Sequence, residues 1–192
     1  VDIVEILPFL KKEYLKDETN ADFRFFPGRQ GAEQVSFDID NIDQDAYVFD
    51  YLTPMDVFGS QAINQGVEKS IKFWSHAKST EYNIISLTPW SKHALSYQVE
   101  RNPSYLDHVE HRFLPFELGK MAVWIHIKGD RIRIASVKGD EVWGLKIRSQ
   151  NLADSLIGIH QALWKIANPI TKDMIESWGP NEYLQVEKQK QR

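Results

Sequence analysis

Val123-Trp-Ile-His-Ile-Lys-Gly-Asp130, Arg131-Ile-Arg-Ile-Ala-Ser-Val-Lys-Gly-Asp140 and Glu141-Val-Trp-Gly-Leu-Lys-Ile-Arg148 follow one another without interruption. Apolar and polar residues alternate through all three, and Gly-Asp punctuates them twice, at Gly129-Asp130 and Gly139-Asp140. Alternation broken by Gly-Asp is the pattern of an antiparallel meander, so strands are expected over 121–128, 131–137 and 142–148. Successive side chains of a strand point to opposite faces. One face therefore carries Val123, Ile125, Ile127, Ile132, Ile134, Leu145 and Ile147. The other carries Trp124, His126, Lys128, Arg131, Arg133, Lys146 and Arg148.

Downstream, Leu152, Leu156, Ile159, Leu163 and Ile166 recur at helical spacing behind an Asn151 cap with Asp154 near the positive end, and Asn168-Pro169 closes that helix. A short amphipathic piece around Met174, Ile175 and Trp178 follows. Upstream, Asp22-Phe-Arg-Phe-Phe26 reads as a strand stopped by Pro27-Gly28, with a helix next carrying Ala32, Val35, Phe37 and Ile39. Ala46-Tyr-Val-Phe-Asp-Tyr-Leu52 is nearly continuously apolar, as a strand covered on both faces is, and ends at Thr53-Pro54. A helix over 61–78 leads to Asn83-Ile-Ile-Ser-Leu87, which ends at Thr88-Pro89, and His108 to Leu114 alternates toward a further strand. Strand, helix, strand, helix, strand argues for parallel strands joined by right-handed crossovers. The expected class is α/β: a mixed sheet with a parallel βαβαβ first half, then the antiparallel meander and a C-terminal helix.

At 192 residues, with 42% apolar and 26% charged, the chain suits one domain. Residues 1–17 have the pattern of a linker-type helix, 18–180 form the α/β domain, and 181–192 are a polar tail. The chain starts on Val1 inside a helical pattern, as a segment of a longer protein or a processed N-terminus would. Its 23 Lys plus Arg against 27 Asp plus Glu give a formal charge of −4, so nucleic-acid affinity would need a local patch or another domain. The absence of cysteine excludes disulfides, thiolate zinc sites, iron–sulfur clusters and cysteine nucleophiles, and fits a cytoplasmic location. Apolar runs are too short for a membrane span, and Asp2 and Glu5 stand where a secretory signal would be basic.

Two groups of residues can carry binding. Ligands of parallel α/β sheets sit beyond the carboxyl ends of the strands. There Arg29 can hold an anion, Thr53 and Thr88 can meet hydroxyls, Trp90 can offer a platform to a sugar ring or base, and Asp56 is a ligand-binding candidate beside them; the same residues also suit plain turns. On the meander, Trp124, His126, Arg131, Arg133, Lys146 and Arg148 can accept an anion, an acidic partner or a nucleic-acid backbone, or else form a solvated face balanced by neighbouring acids. His108-x-x-His111 places its imidazoles on opposite faces of a strand, the pattern of surface histidines, and no metal or cofactor is expected. No Gly-Lys-Ser/Thr phosphate loop and no Gly-x-Ser-x-Gly elbow occurs.

The order His111-Arg-Phe-Leu-Pro115, Val123 to Ser136 around Gly129-Asp130, Gly144-Leu-Lys-Ile147, Asn151-Leu-Ala-Asp-Ser155 and Ala162-Leu-Trp-Lys165 resembles the C-terminal effector domain of TrmB-like transcriptional regulators. Arg24-Phe-Phe-Pro-Gly-Arg-Gln-Gly31 is similar to the strand and Gly-rich turn that open that domain, and the resemblance spans about residues 20–168. It implies a phospholipase-D-like fold without catalysis that senses a small effector, a sugar or an anionic metabolite, forms a homodimer, and reaches DNA only through a helix-turn-helix domain not contained in this chain. Phospholipase-D enzymes use His-x-Lys followed after four residues by Asp. His126-Ile-Lys128 supplies the first pair, but the fifth residue beyond Lys128 is Arg133. Aligning Asp130 with the motif acid puts Val123 and Ile125 in the His and Lys positions. The expectation is therefore a sensor that is not an enzyme. A stand-alone interaction module using the basic face is the alternative, and a phosphodiesterase is third.

Overall fold

The apolar face of the meander becomes the centre of one mixed sheet. The computed structural model describes residues 21–36, 38, 45–49, 84–87, 95, 99–100, 105–114, 123–138 and 140–178. Among these the strands are β1 (Asp22–Pro27), β2 (Ala46–Phe49), β3 (Ile84–Leu87), β4 (His111–Phe113), β5 (Trp124–Lys128), β6 (Arg131–Lys138), β7 (Glu141–Arg148) and β8 (Asn168–Pro169). The helices are α1 (Gly28–Ser36), α2 (Tyr105–His108), α3 (Gln150–Trp164) and α4 (Lys172–Ser177). The expected helices over 1–17 and 61–78 and the tail 181–192 lie outside the described residues.

The sheet order is β1-β7-β6-β5-β2-β3-β4-β8. Only β2 with β3 and β3 with β4 pair in parallel, while the five remaining pairs are antiparallel. The class is mixed α/β with a mostly antiparallel sheet. One expectation needs correcting: β1 is not beside β2 but pairs with β7 at the far edge. Its sequence explains why. Phe23 and Phe25 alternate with Asp22 and Arg24, the half-polar pattern of a strand at a sheet margin, whereas Ala46-Tyr-Val-Phe49 is apolar throughout and sits mid-sheet.

Register turns the alternation into rows. Tyr47, Ile127, Ile132, Ile147 and Phe23 form one row, and Phe49, Ile125, Ile134, Leu145 and Phe25 the next. The amphipathic α3 covers this face over β2, β5 and β6, and Phe49, Leu114, Ile125, Ile127, Ile132, Ile147, Ala153 and Ala167 make the core. Each fully buried Ile there contributes about 1.5–3 kcal/mol of apolar transfer energy. The N-cap of α3 is Ser149, not Asn151. Its backbone is extended, its hydroxyl accepts from the Leu152 amide at 3.4 Å, and its own amide donates to the Asp130 carbonyl at 2.8 Å.

The opposite face is covered as well. α1 turns back from β1 through Gly28, at φ 68°, and packs on β6 and β7. The approach to β7 requires glycine at 144, where a Cβ would stand 2.6 Å from Val35 Cγ2 and 2.7 Å from the Gly31 carbonyl oxygen; the turn back onto β1 requires it at 31, where a Cβ would stand 2.4 Å from the Phe26 carbonyl oxygen. This close packing covers the polar face of the meander around Ala135 and Gly144, on β6 and β7.

Candidate functional site

Sheet register aligns Val48, His126, Arg133, Lys146 and Arg24 in one row, with Ala46, Lys128, Arg131, Arg148 and Asp22 in the next. The hairpin between β5 and β6 closes at Gly129, whose φ of 55° suits the tight turn, and so fixes Lys128 opposite Arg131 and His126 opposite Arg133. The centre of this face is not solvated. His126, Lys128 and Arg133 are only 7%, 6% and 7% exposed.

Trp124, His126 and Arg133 form a contiguous group. The indole of Trp124 stacks on the His126 ring with centroids 5.7 Å apart, and the Arg133 guanidinium carbon lies 5.8 Å from the indole centroid, within cation–π range. Arg133 Nη2 is 3.1 Å from His126 Nδ1 and 3.2 Å from Nε2. A guanidinium only donates, so the imidazole accepts through an unprotonated nitrogen. Burial drives the His126 pKa well below the usual histidine range, and the charges of Arg133 and Lys128 push it the same way. His126 is neutral at pH 7. A neutral imidazole beside two cations keeps one N–H to donate, in a region where low dielectric strengthens each polar contact.

The rim of the face is different. Lys146 pairs with the Asp38 carboxylate and lies 5.3 Å from the Phe26 ring centroid. Arg148 donates through Nε to Asp130 at 2.6 Å; that carboxylate raises its pKa. Arg131 is exposed. The structure thus brings Trp124, His126 and Arg133 together with Lys128, and leaves Arg131 and Arg148 on the margin.

The strand-end group has another disposition. Arg29 is exposed in the first turn of α1, at the tip of β1. The alternating directions make β1 run the same way as β2, but three strands separate them, a lateral distance of about 19 Å at the usual strand spacing. The expected hollow made by three adjacent tips is therefore not the arrangement found. Thr53, Asp56, Thr88 and Trp90 lie outside the described residues.

Two histidines differ from expectation. His111 opens β4 and is 5% exposed rather than on the surface; burial lowers its pKa to about 4. His160 was not anticipated as a structural group. It is fully buried on α3, with Nε2 3.2 Å from the Val48 carbonyl oxygen and its ring 4.9 Å from Phe49, 5.4 Å from Tyr47 and 6.0 Å from Trp164 between centroids. Its signal in the sequence is its spacing, four residues after Leu156 and four before Trp164, inside the apolar stripe. Among the described residues, no group of three or more His, Asp or Glu has metal-site geometry, and no helix is long and apolar enough to cross a membrane.

No family model matches the sequence, and no curated protein matches it. Among solved structures, the chain is similar to TrmBL2, an archaeal chromatin protein whose structure shows a novel mode of DNA binding, at 11% identity and a TM-score of 0.48 over 87% of this chain. The chain spans 64% of that protein's length. It is also similar to Nuc, a phospholipase D family member from Salmonella typhimurium, at 10% identity and a TM-score of 0.48, covering 79% of this chain and 99% of that one.

Proposed function

We propose that this chain is the ligand-sensing and dimerisation domain of a TrmB-like transcriptional regulator and that it does not catalyse. The order of sequence motifs supports the family, and one structural observation carries the sensing role: the burial of His126, Lys128 and Arg133 beside Trp124. A nucleic-acid backbone or an acidic protein face needs cations that reach solvent. Here the central cations are enclosed, and rim cations such as Lys146 and Arg148 already face acids. A buried region that brings Arg133 and Lys128 together with an aromatic wall and a neutral imidazole suits a small anion or a phosphorylated or acidic sugar, whose negative group would meet Arg133 and Lys128 and whose hydroxyl would meet His126.

The absence of catalysis is supported by the surroundings of the His126-Ile-Lys128 pair. The residue opposite His126 is a cation, Arg133, and the nearby acid Asp130 is turned to Arg148 at the hairpin. If Asp130 marks the motif acid, the other two positions are the apolar Val123 and Ile125, with Ile125 in the core. DNA would be read by a separate domain, in the cytoplasm. The effector acts by favouring one placement of the two protomers over another.

Thermal unfolding of the chain with neutral sugars, phosphorylated sugars, dicarboxylates and duplex DNA tests this reading. A concentration-dependent rise in Tm with one of the small anions is expected, and none with DNA. A rise with DNA alone would favour the interaction module.

A further inference from the structure

We propose that β1 pairs antiparallel with β1 of a second copy of this chain, about a twofold axis through Phe23, joining two sheets into one. This rests on the dimer in the reading above and specifies its surface. Among the described residues β1 is the outermost strand on its side of the sheet. It bears two large apolar residues in solvent, Phe23 at 60% and Phe25 at 63% exposure. A flat strand edge with exposed aromatics is a template for pairing with another strand. Both rings lie at the end of apolar rows that continue the core, Phe23 after Ile147 and Phe25 after Leu145, and Phe25 also meets Trp143 at 6.2 Å between centroids.

Charge selects the occupant and the register. Asp22 and Arg24 share the other face of β1, both more than half exposed and 2.9 Å apart. An axis through Asp22 would set Asp22 against Asp22, and one through Arg24 would set Arg24 against Arg24; like charges directly opposite are unfavourable. An axis through Phe25 would put Phe23 opposite Pro27, where the chain lacks an amide donor and already turns into α1. An axis through Phe23 sets Asp22 against Arg24 of the second copy twice over, stacks Phe23 on its counterpart, and seats Phe25 against the small Ala21. The strand is thus complementary to itself in that register. Assembly closes at two copies, because the isologous contact uses up the β1 edge and the strand at the opposite margin, β8, is two residues long and contains Pro169.

The chain has no cysteine, so single substitutions report the register directly. Residues facing each other across an antiparallel pair have Cα atoms about 4.5–5.5 Å apart, within disulfide reach. Phe25 and its counterpart would be offset by four residues, about 14 Å along the strand. Full-length Phe23→Cys is expected to cross-link to a dimer under mild oxidation, and Phe25→Cys is not. In light scattering, Asp22→Arg or Arg24→Asp alone should weaken the dimer by roughly tenfold, and the two together should restore it by exchanging the charges. Circular dichroism of each variant verifies that the exposed substitutions leave the fold intact. A dimer in solution with no cross-link through Phe23→Cys, or with one through Phe25→Cys instead, overturns the β1 pairing and leaves the dimer reading standing. A wild-type chain monomeric at all concentrations overturns both. Failure of the double exchange to restore association overturns the assigned register.

Discussion

His111 makes stability depend on pH in a calculable way. Its imidazole is buried at the start of β4 and its pKa falls from 6.5 to about 4, through desolvation. Between those values the unfolded chain binds a proton that the folded chain does not, so stability rises with pH across that window. Full stability is present above about pH 6.5 and is lost as pH falls toward 4. For this one group the loss is about 2 kcal/mol by pH 5 and about 3 kcal/mol by pH 4. His126 acts in the same direction, since its pKa is also lowered by burial. The perturbation is His111→Gln, which keeps a polar side chain of similar size but does not titrate. Urea unfolding followed by tryptophan fluorescence at pH 7, 6 and 5 gives the midpoint and slope at each pH. Carboxylates titrate in both proteins, so the difference between their pH dependences isolates His111. The variant should lose about 2 kcal/mol less than wild type between pH 7 and 5. Identical slopes in the two proteins would refute a buried neutral His111.

Three further outcomes follow from the packing. Gly144→Ala forces a methyl group into the Val35 side chain and the Gly31 carbonyl, so it should cost about 1–3 kcal/mol in urea unfolding, whereas Ala at Gly158, where a Cβ meets nothing within 4 Å, should not destabilise. His160→Ala removes a fully buried ring from between Phe49 and Trp164 together with its bond to Val48, and should lower stability by about 3 kcal/mol, readable as a lower urea midpoint. With an activated phosphodiester such as bis-p-nitrophenyl phosphate, wild type and His126→Ala should both turn over no faster than buffer; turnover present in wild type and lost in the variant would revive the phosphodiesterase reading.

The meander and α3 were legible because their signals are local. Alternation with two Gly-Asp turns placed β5, β6 and β7 within a few residues of their observed limits, and the stripe from Leu152 to Leu163 identified α3. The position of β1 was less legible, since strand–helix–strand order suggests a parallel neighbour while the actual partner, β7, lies more than a hundred residues away in sequence. The half-polar alternation of Asp22 to Phe25 was the contrary sign. Alternation also separated the two faces of the meander correctly but says nothing of what covers the polar one. The clue was steric. Ala135 and Gly144 lie opposite each other on that face, and small residues there let α1 approach β6 and β7. His126 and Lys128, which spell two thirds of a catalytic motif on paper, face Arg133 and Arg131 across the strand pair, a neighbourhood that their own spacing does not reveal.

The most direct measurement is isothermal titration of the small anion that raises Tm most, against wild type, Arg133→Met and the rim double variant Arg131→Glu/Arg148→Glu. An enclosed sensing site requires binding by wild type and by the rim variant at comparable affinity, and at least roughly tenfold weaker binding by Arg133→Met, the scale of one charge-assisted hydrogen bond. Undiminished binding by a folded Arg133→Met, or loss of binding only in the rim variant, would contradict it.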